Sequence, residues 1–132
     1  MGIFNTIFGG KEENRKEEKK SFLHWIPLNS VTQLEEIKKE SSTHSILMFK
    51  HSTRCGISNM VIKQFEKLFT EEHQNLKVYY LDLLNYRDIS AEIGAMFQVM
   101  HQSPQLLVIK NEVCVYHASH QDIIETDLTR FI

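Results

Sequence analysis

The sequence predicts an α/β fold: one mixed central sheet of about four strands with helices on both faces. Three observations carry this expectation. Short apolar, β-rich runs near 45–50, 76–82, 105–110 and 113–118 alternate with segments whose apolar residues recur at helical spacing. The last two runs are separated only by Asn111-Glu112, a junction short enough to require an antiparallel hairpin. The order after a first helix is β-α-β-α-β-β-α, and strands joined through helices are expected to run parallel with right-handed crossovers.

Each element has its own signal. Trp25, Ile26 and Leu28 surround Pro27, which suggests a short edge segment. Asn29 or Ser30 is placed to cap a helix over 31–40 with Val31, Leu34 and Ile37 on one face. The run Ser45 to Lys50 reads as a buried strand. After a loop, Ile57, Met60, Val61, Phe65, Leu68 and Phe69 form a helical stripe. Leu76 to Asp82 is a second strand, and Ile89, Ile93, Phe97 and Met100 mark a helix begun near Asp88. The hairpin 105–118 follows. Ser119 with Asp122 opens a last helix whose inner face is Ile123, Ile124, Leu128 and Phe131.

Residues 1–20 differ in character from the rest. Ile3, Phe4, Ile7 and Phe8 form a short apolar strip stopped by Gly9-Gly10, and residues 11–20 are a charged linker. A helix of about eight residues is too short to stand alone, so this segment is expected to be a flexible extension of a domain over 21–132. No membrane contact through residues 1–8 is expected. The apolar strip is too interrupted for a secretory signal, and no run approaches the roughly 20 apolar residues of a membrane span, so a cytoplasmic location is expected. The chain of 132 residues carries a net charge of −2, which gives no basic patch for nucleic acid. Two cysteines are too few for a disulfide scaffold.

Chemistry concentrates at Cys55. It stands between a buried strand and the start of an amphipathic helix, where unpaired N–H groups and the positive end of the helix dipole stabilise an anion. A thiolate is such an anion and is the nucleophilic form of cysteine. Gly56 does not crowd the sulfur, Ile57 follows in the first turn, and Ser58, one turn on, is placed to donate its hydroxyl to the thiolate. Lys50, His51 and Arg54 add positive charge nearby. The position of a second thiol in a C-x-x-C site is held by Ser58, so a group accepted by Cys55 must be removed by an outside thiol.

Cys114 is not expected to be that thiol. If Lys110 faces Val113, Cys114 faces Ile109 and Pro104 is level with Ser119. At roughly 3.3 Å per residue, Cys114 then lies about 17 Å along the strand from Pro104. The Cα atoms of a disulfide must lie within about 7 Å, so if Pro104 adjoins Cys55, Cys114 is a packing thiol.

These residues resemble a known family. A CxxS motif opening a helix after the first core strand, then β-α, then Ser103-Pro104 before a hairpin, resembles the thioredoxin fold. The stretch Phe49-Lys50-His51-Ser52-Thr53-Arg54-Cys55-Gly56-Ile57-Ser58 resembles the YtxJ family of monothiol bacilliredoxins, as do Ser103-Pro104-Gln105 and His117-Ala118-Ser119-His120. Proline is common in that family where Gly56 stands. The resemblance implies a thiol-disulfide oxidoreductase that removes bacillithiol from S-bacillithiolated proteins. Cys55 would attack the mixed disulfide and take bacillithiol onto its own sulfur. A second bacillithiol, or a bacillithiol disulfide reductase, would then regenerate it. Gly56, Ile57 and Ser58 would support the thiolate. Lys50, Thr53, Arg54, Ser103 and a cis Pro104 would line the thiol site, with His117, Ser119 and His120 at the same end.

Two other classes fit parts of the pattern: a glutaredoxin-like module that shares an iron–sulfur cluster or binds a small thiol through one cysteine, and a non-catalytic thioredoxin-like adaptor. His51 with Cys55, and His117 with His120, have metal-ligand spacing, but no second cysteine supports either pair and no metal is expected.

Overall fold

The computed structural model describes residues 21–132, and the reading of residues 1–20 as an extension lies outside them. A five-stranded mixed sheet forms the centre. Its strands are β1 (Trp25–Pro27), β2 (Ile46–His51), β3 (Lys77–Asp82), β4 (Gln105–Lys110) and β5 (Val113–Ser119), in the spatial order β1-β3-β2-β4-β5. The strand beyond the expected four is β1, the proline-bearing edge segment. The helices are α1 (Thr32–Glu40), α2 (Gly56–Lys67) and α3 (Arg87–Phe97), with short 3-10 turns at Glu71–His73, His120–Glu125 and Leu128–Phe131.

Alternation along β2 divides the core. Leu47 and Phe49 face α2 and pack with Val61, Phe65, Phe69, Leu106, Val108, Ile123 and Phe131. Ile46 and Met48 face the other way and pack with Leu34, Ile37, Leu81, Ile89, Ile93, Leu107 and Ile109. On the α2 face, Trp25 closes an aromatic cluster. Its ring lies 5.7 Å from Phe49 and 6.0 Å from Phe65, and its Nε1 donates to Glu66 at 2.7 Å. The half-buried indole therefore keeps its hydrogen bond while contributing apolar area.

The expected strand directions hold for β1–β3 and β2–β3, which are parallel, and for the antiparallel β4–β5 hairpin. They fail for β4, which runs antiparallel to β2 although a helix precedes it. A parallel crossover needs a helix that carries the chain back to the opposite pole. Here Ser90, in the first turn of α3, and Lys50, at the end of β2, both reach His101, beyond the C-terminus of α3. The chain thus re-enters the sheet from the pole at which it left.

Other boundaries differ for local reasons. Val31, not Asn29 or Ser30, is the N-cap of α1, and Gln33 Oε1 reaches back to accept from the Asn29 and Ser30 N–H groups. Val31 is exposed, as are Ile57 and Met60 of the α2 stripe. The face that α2 turns to the sheet is Ser58, Val61 and Phe65, and Ile57 and Met60 fall outside it. Met100 falls after α3, which ends at a left-handed Gln98, and it is 81% exposed. The C-terminal helix is two 3-10 turns separated by an extended Thr126, whose hydroxyl is 3.1 Å from that of Tyr116. Ser119 makes no cap bond there. Ile123, Leu128 and Phe131 are buried as expected, and Ile124 is half-buried.

Phe65 touches Phe49, Phe69 and Trp25 and is fully buried. Phe65→Ala should cost about 3–5 kcal/mol through lost burial and a residual cavity. Urea unfolding followed by the fluorescence of Trp25 measures this, and a loss below about 1 kcal/mol would contradict the assigned core.

Candidate active site

Cys55 is the N-cap of α2, in extended conformation (φ −103°, ψ 123°). Its N–H donates to Ser52 O at 3.1 Å, which closes the preceding turn. Its carbonyl accepts the first helical bond from Asn59 N at 3.0 Å. Asn59 Nδ2 also donates to Thr53 O and Cys55 O, both at 3.1 Å, so one side chain fixes both sides of the thiol loop. The Cys55 side chain itself caps nothing, and the first turn of α2 carries no acidic residue. Nothing in that turn competes for the positive end of the helix.

Gly56 and Ile57 are exposed beside the half-exposed Cys55, and Thr53 and Arg54 are exposed in the loop before it. Ser58 is fully buried. Its Oγ lies 2.8 Å from His51 Nδ1 and accepts from Ser52 N at 3.1 Å. As it stands, the Ser58 hydroxyl engages His51 and Ser52 rather than the sulfur.

Pro104 arrives from β4. Gln105 pairs with Lys50, so Pro104 falls level with His51, the residue from which the thiol loop departs. The Ser103–Pro104 peptide is cis, Pro104 is buried, and the Ser103 Oγ is buried with no protein partner. The expected register of the hairpin holds at Lys110–Val113 and Ile109–Cys114, then slips by one residue through a bulge at Val115. Consequently Ser119 pairs with Gln105, and it is the His120 N–H that donates to Pro104 O, at 3.0 Å. His117 and His120 are exposed and Ser119 half-buried at this end.

One expected member, Lys50, is placed elsewhere, and Cys114 lies away from the thiol loop as the hairpin arithmetic expects. Lys50 is 0% exposed and lies on the opposite face of the sheet from α2, because it follows Ile46 and Met48 in the alternation. Its Nζ lies 3.2 Å from His101 Nδ1, and burial pulls its ammonium down from 10.5 to about 8. It is therefore not brought to the thiol. Cys114, half-buried beside Ile109, donates its S–H to Tyr116 O at 3.2 Å. Burial holds this thiol above the usual range. Ile109 pairs with Ile46, five residues before His51 and about 17 Å along the strand from the Cys55 end.

His51 is the residue that sequence reasoning undervalued. The alternation that buries Leu47 and Phe49 under α2 also places His51 there. That period was visible in the sequence, although the bond to Ser58 was not. No group of three or more histidine, cysteine or acidic residues gathers as metal ligands among the described residues, and none of the described helices is long and apolar enough to cross a membrane.

A family model described as monothiol bacilliredoxin BrxC matches residues 26–128. Among solved structures, one assigned as an oxidoreductase with a thioredoxin fold is 32% identical, with a TM-score of 0.65, over 75% of this chain and 85% of its own. The thioredoxin of Malassezia sympodialis is 18% identical, with a TM-score of 0.64, over 80% and 88% of the two chains. A Schistosoma mansoni thioredoxin, also 18% identical with a TM-score of 0.64, covers 85% and 99%. At those lower identities the likeness shows the thioredoxin fold.

The buried Lys50 generates a pH-dependent prediction. Its folded value is depressed to about 8 while the unfolded chain holds the proton to about 10.5. Between these values the unfolded state binds more protons, so stability contributed by Lys50 rises with pH across that window. Lys50→Met should remove this rise. Denaturant midpoints of both proteins below pH 8 and near pH 10 test it, and parallel pH dependences would contradict it.

Proposed function

The chain belongs to the monothiol bacilliredoxin family, and from that premise we propose that it removes bacillithiol from S-bacillithiolated proteins through a mixed disulfide on Cys55. The observation that carries this reading is a single half-exposed thiol at an unneutralised helix start, with the other cysteine at the far end of the hairpin.

The Cys55 thiolate attacks the bacillithiol sulfur of the client's mixed disulfide. A Cys55–bacillithiol disulfide forms, the client's S–S bond breaks, and the client leaves as a thiolate that takes a proton from water. A second bacillithiol, as thiolate, then attacks the bacillithiol sulfur on Cys55. Cys55 is released reduced and bacillithiol disulfide is the oxidised product, which a bacillithiol disulfide reductase would return to the pool. Gly56 and Ile57 supply helix-start N–H groups near the sulfur. Thr53, Arg54, Ser103 and Pro104 flank its approach, and Lys50 takes no part. The reaction belongs to a reducing cytoplasm, where such thiols persist.

Reduced protein incubated with an S-bacillithiolated protein should deplete the adduct, read by intact mass of the client. Cys55→Ser should abolish the depletion, and Cys114→Ser should retain it. Equal depletion by Cys55→Ser would overturn the reading.

A further inference from the structure

Beneath the thiol loop lies a buried polar group that the exchange reaction above leaves without a role. His51 is 4% exposed, under the first turn of α2. Its Nδ1 meets the Ser58 Oγ at 2.8 Å, and its ring lies 5.8 Å from Tyr80. Asp82 pairs with it across β2–β3. Residues paired in register on parallel strands share a face, so the Asp82 carboxylate stands on the His51 side. One oxygen of that carboxylate, Oδ2, accepts from Asn85 at 2.8 Å; the other, Oδ1, is buried and has no partner.

The hydroxyl of Ser58 has one proton and two lone pairs. The Ser52 N–H occupies one lone pair. A neutral imidazole protonated at Nε2 takes the proton at its Nδ1. An imidazolium carries a proton at Nδ1 and must take the second lone pair, which releases the Ser58 O–H. Ser58 is the third residue after the N-cap Cys55, the position toward which an N-cap side chain is directed.

We propose that His51 is a positioning residue for Cys55 that acts through Ser58: when His51 is protonated, the Ser58 hydroxyl turns from His51 to donate to the Cys55 thiolate. The protons balance. Cys55 S–H gives its proton to Ser58 Oγ as Ser58 gives its own to His51 Nδ1, so thiol and neutral imidazole become thiolate and imidazolium. The negative charge of Asp82 favours the positive charge that forms. The groups around His51 fit this role. Burial holds its imidazole below the usual histidine range, while Asp82 on β3, and Asn59 and Glu66 on α2, pull the other way. Tyr80 on β3 presents its ring edge-on. This assignment rests on Cys55 as the reacting thiol, not on the identity of the thiol it removes.

The test is the pH profile of Cys55 alkylation by iodoacetamide, measured on the full chain carrying Cys114→Ser. Ser58→Ala and His51→Gln should each move the midpoint to higher pH by about one pH unit, and Asp82→Asn should move it in the same direction by less. A purely structural role would lower stability and leave the midpoint in place. An unchanged midpoint in folded Ser58→Ala would overturn the proposal. A second measurement leaves His51 and its contacts intact. The His51 ring, titrated by NMR in the reduced protein, should protonate at higher pH than in Cys55→Ser, because coupling between two sites is reciprocal. Identical titrations would overturn the proposal. Neither experiment uses bacillithiol. Shifted profiles without bacillithiol removal would refute the substrate reading alone, and removal with unshifted profiles would refute the role of His51 alone.

Discussion

The bond network at Ser58 is the constraint on which the site depends. One buried hydroxyl joins the last residue of the central strand, the first residue of the loop, and the first turn of the helix that presents the thiol. A buried polar group left without partners costs about 1–3 kcal/mol. The strand end and the helix start therefore cannot separate without exposing Ser58, His51 and the Ser52 N–H together. Asn59 completes the restraint from the solvent side by holding the Thr53 and Cys55 carbonyls. The position of the sulfur is thus set by residues on both sides of the loop and not by the loop's own composition.

Much of this was legible in the sequence. Helical spacing located the three α-helices of the described residues, alternation marked β3, and continuous apolar runs marked β2 and β4, which are buried on both faces. The place of Cys55 at a helix start followed from the same pattern. What periodicity does not record is direction. The reversal of β4 depends on where α3 ends in space, and the short segment 98–104 carries no hydrophobic signal of that. Nor does a residue type announce its face. Lys50 looks like a binding residue in a loop-proximal position, yet strand alternation buries it away from the thiol. The one-residue slip at Val115 was equally hidden, since a bulge changes pairing without changing composition.

The two faces of the sheet carry different polar devices at the same pole. On the α2 face, His51, Ser58 and Asp82 lie beneath the thiol. On the other, Lys50, Ser90 and His101 join the end of β2 to α3 and to the segment leading into Pro104. The second group has no direct line to the sulfur, but it fixes the approach of β4 and with it the position of Pro104 beside His51. Sequence reading merges these groups because Lys50 and His51 are neighbours in the chain. The pleat separates them.

Gly56 has a consequence for how a disulfide reaches the sulfur. A Cβ at this position would meet no heavy atom within 4 Å, and its backbone does not require glycine. If Cys55 acts as proposed, its value would lie in the open volume beside the sulfur. Displacement at sulfur proceeds along the axis of the bond being broken, so three sulfurs must come nearly into line while the departing protein is still attached. Under the proposed exchange, an uncluttered flank would give a large, folded client the angular freedom to reach that alignment without having to unfold locally. Selectivity among clients would then reside in the rim of the cleft, while the geometry at the reacting atom stays permissive.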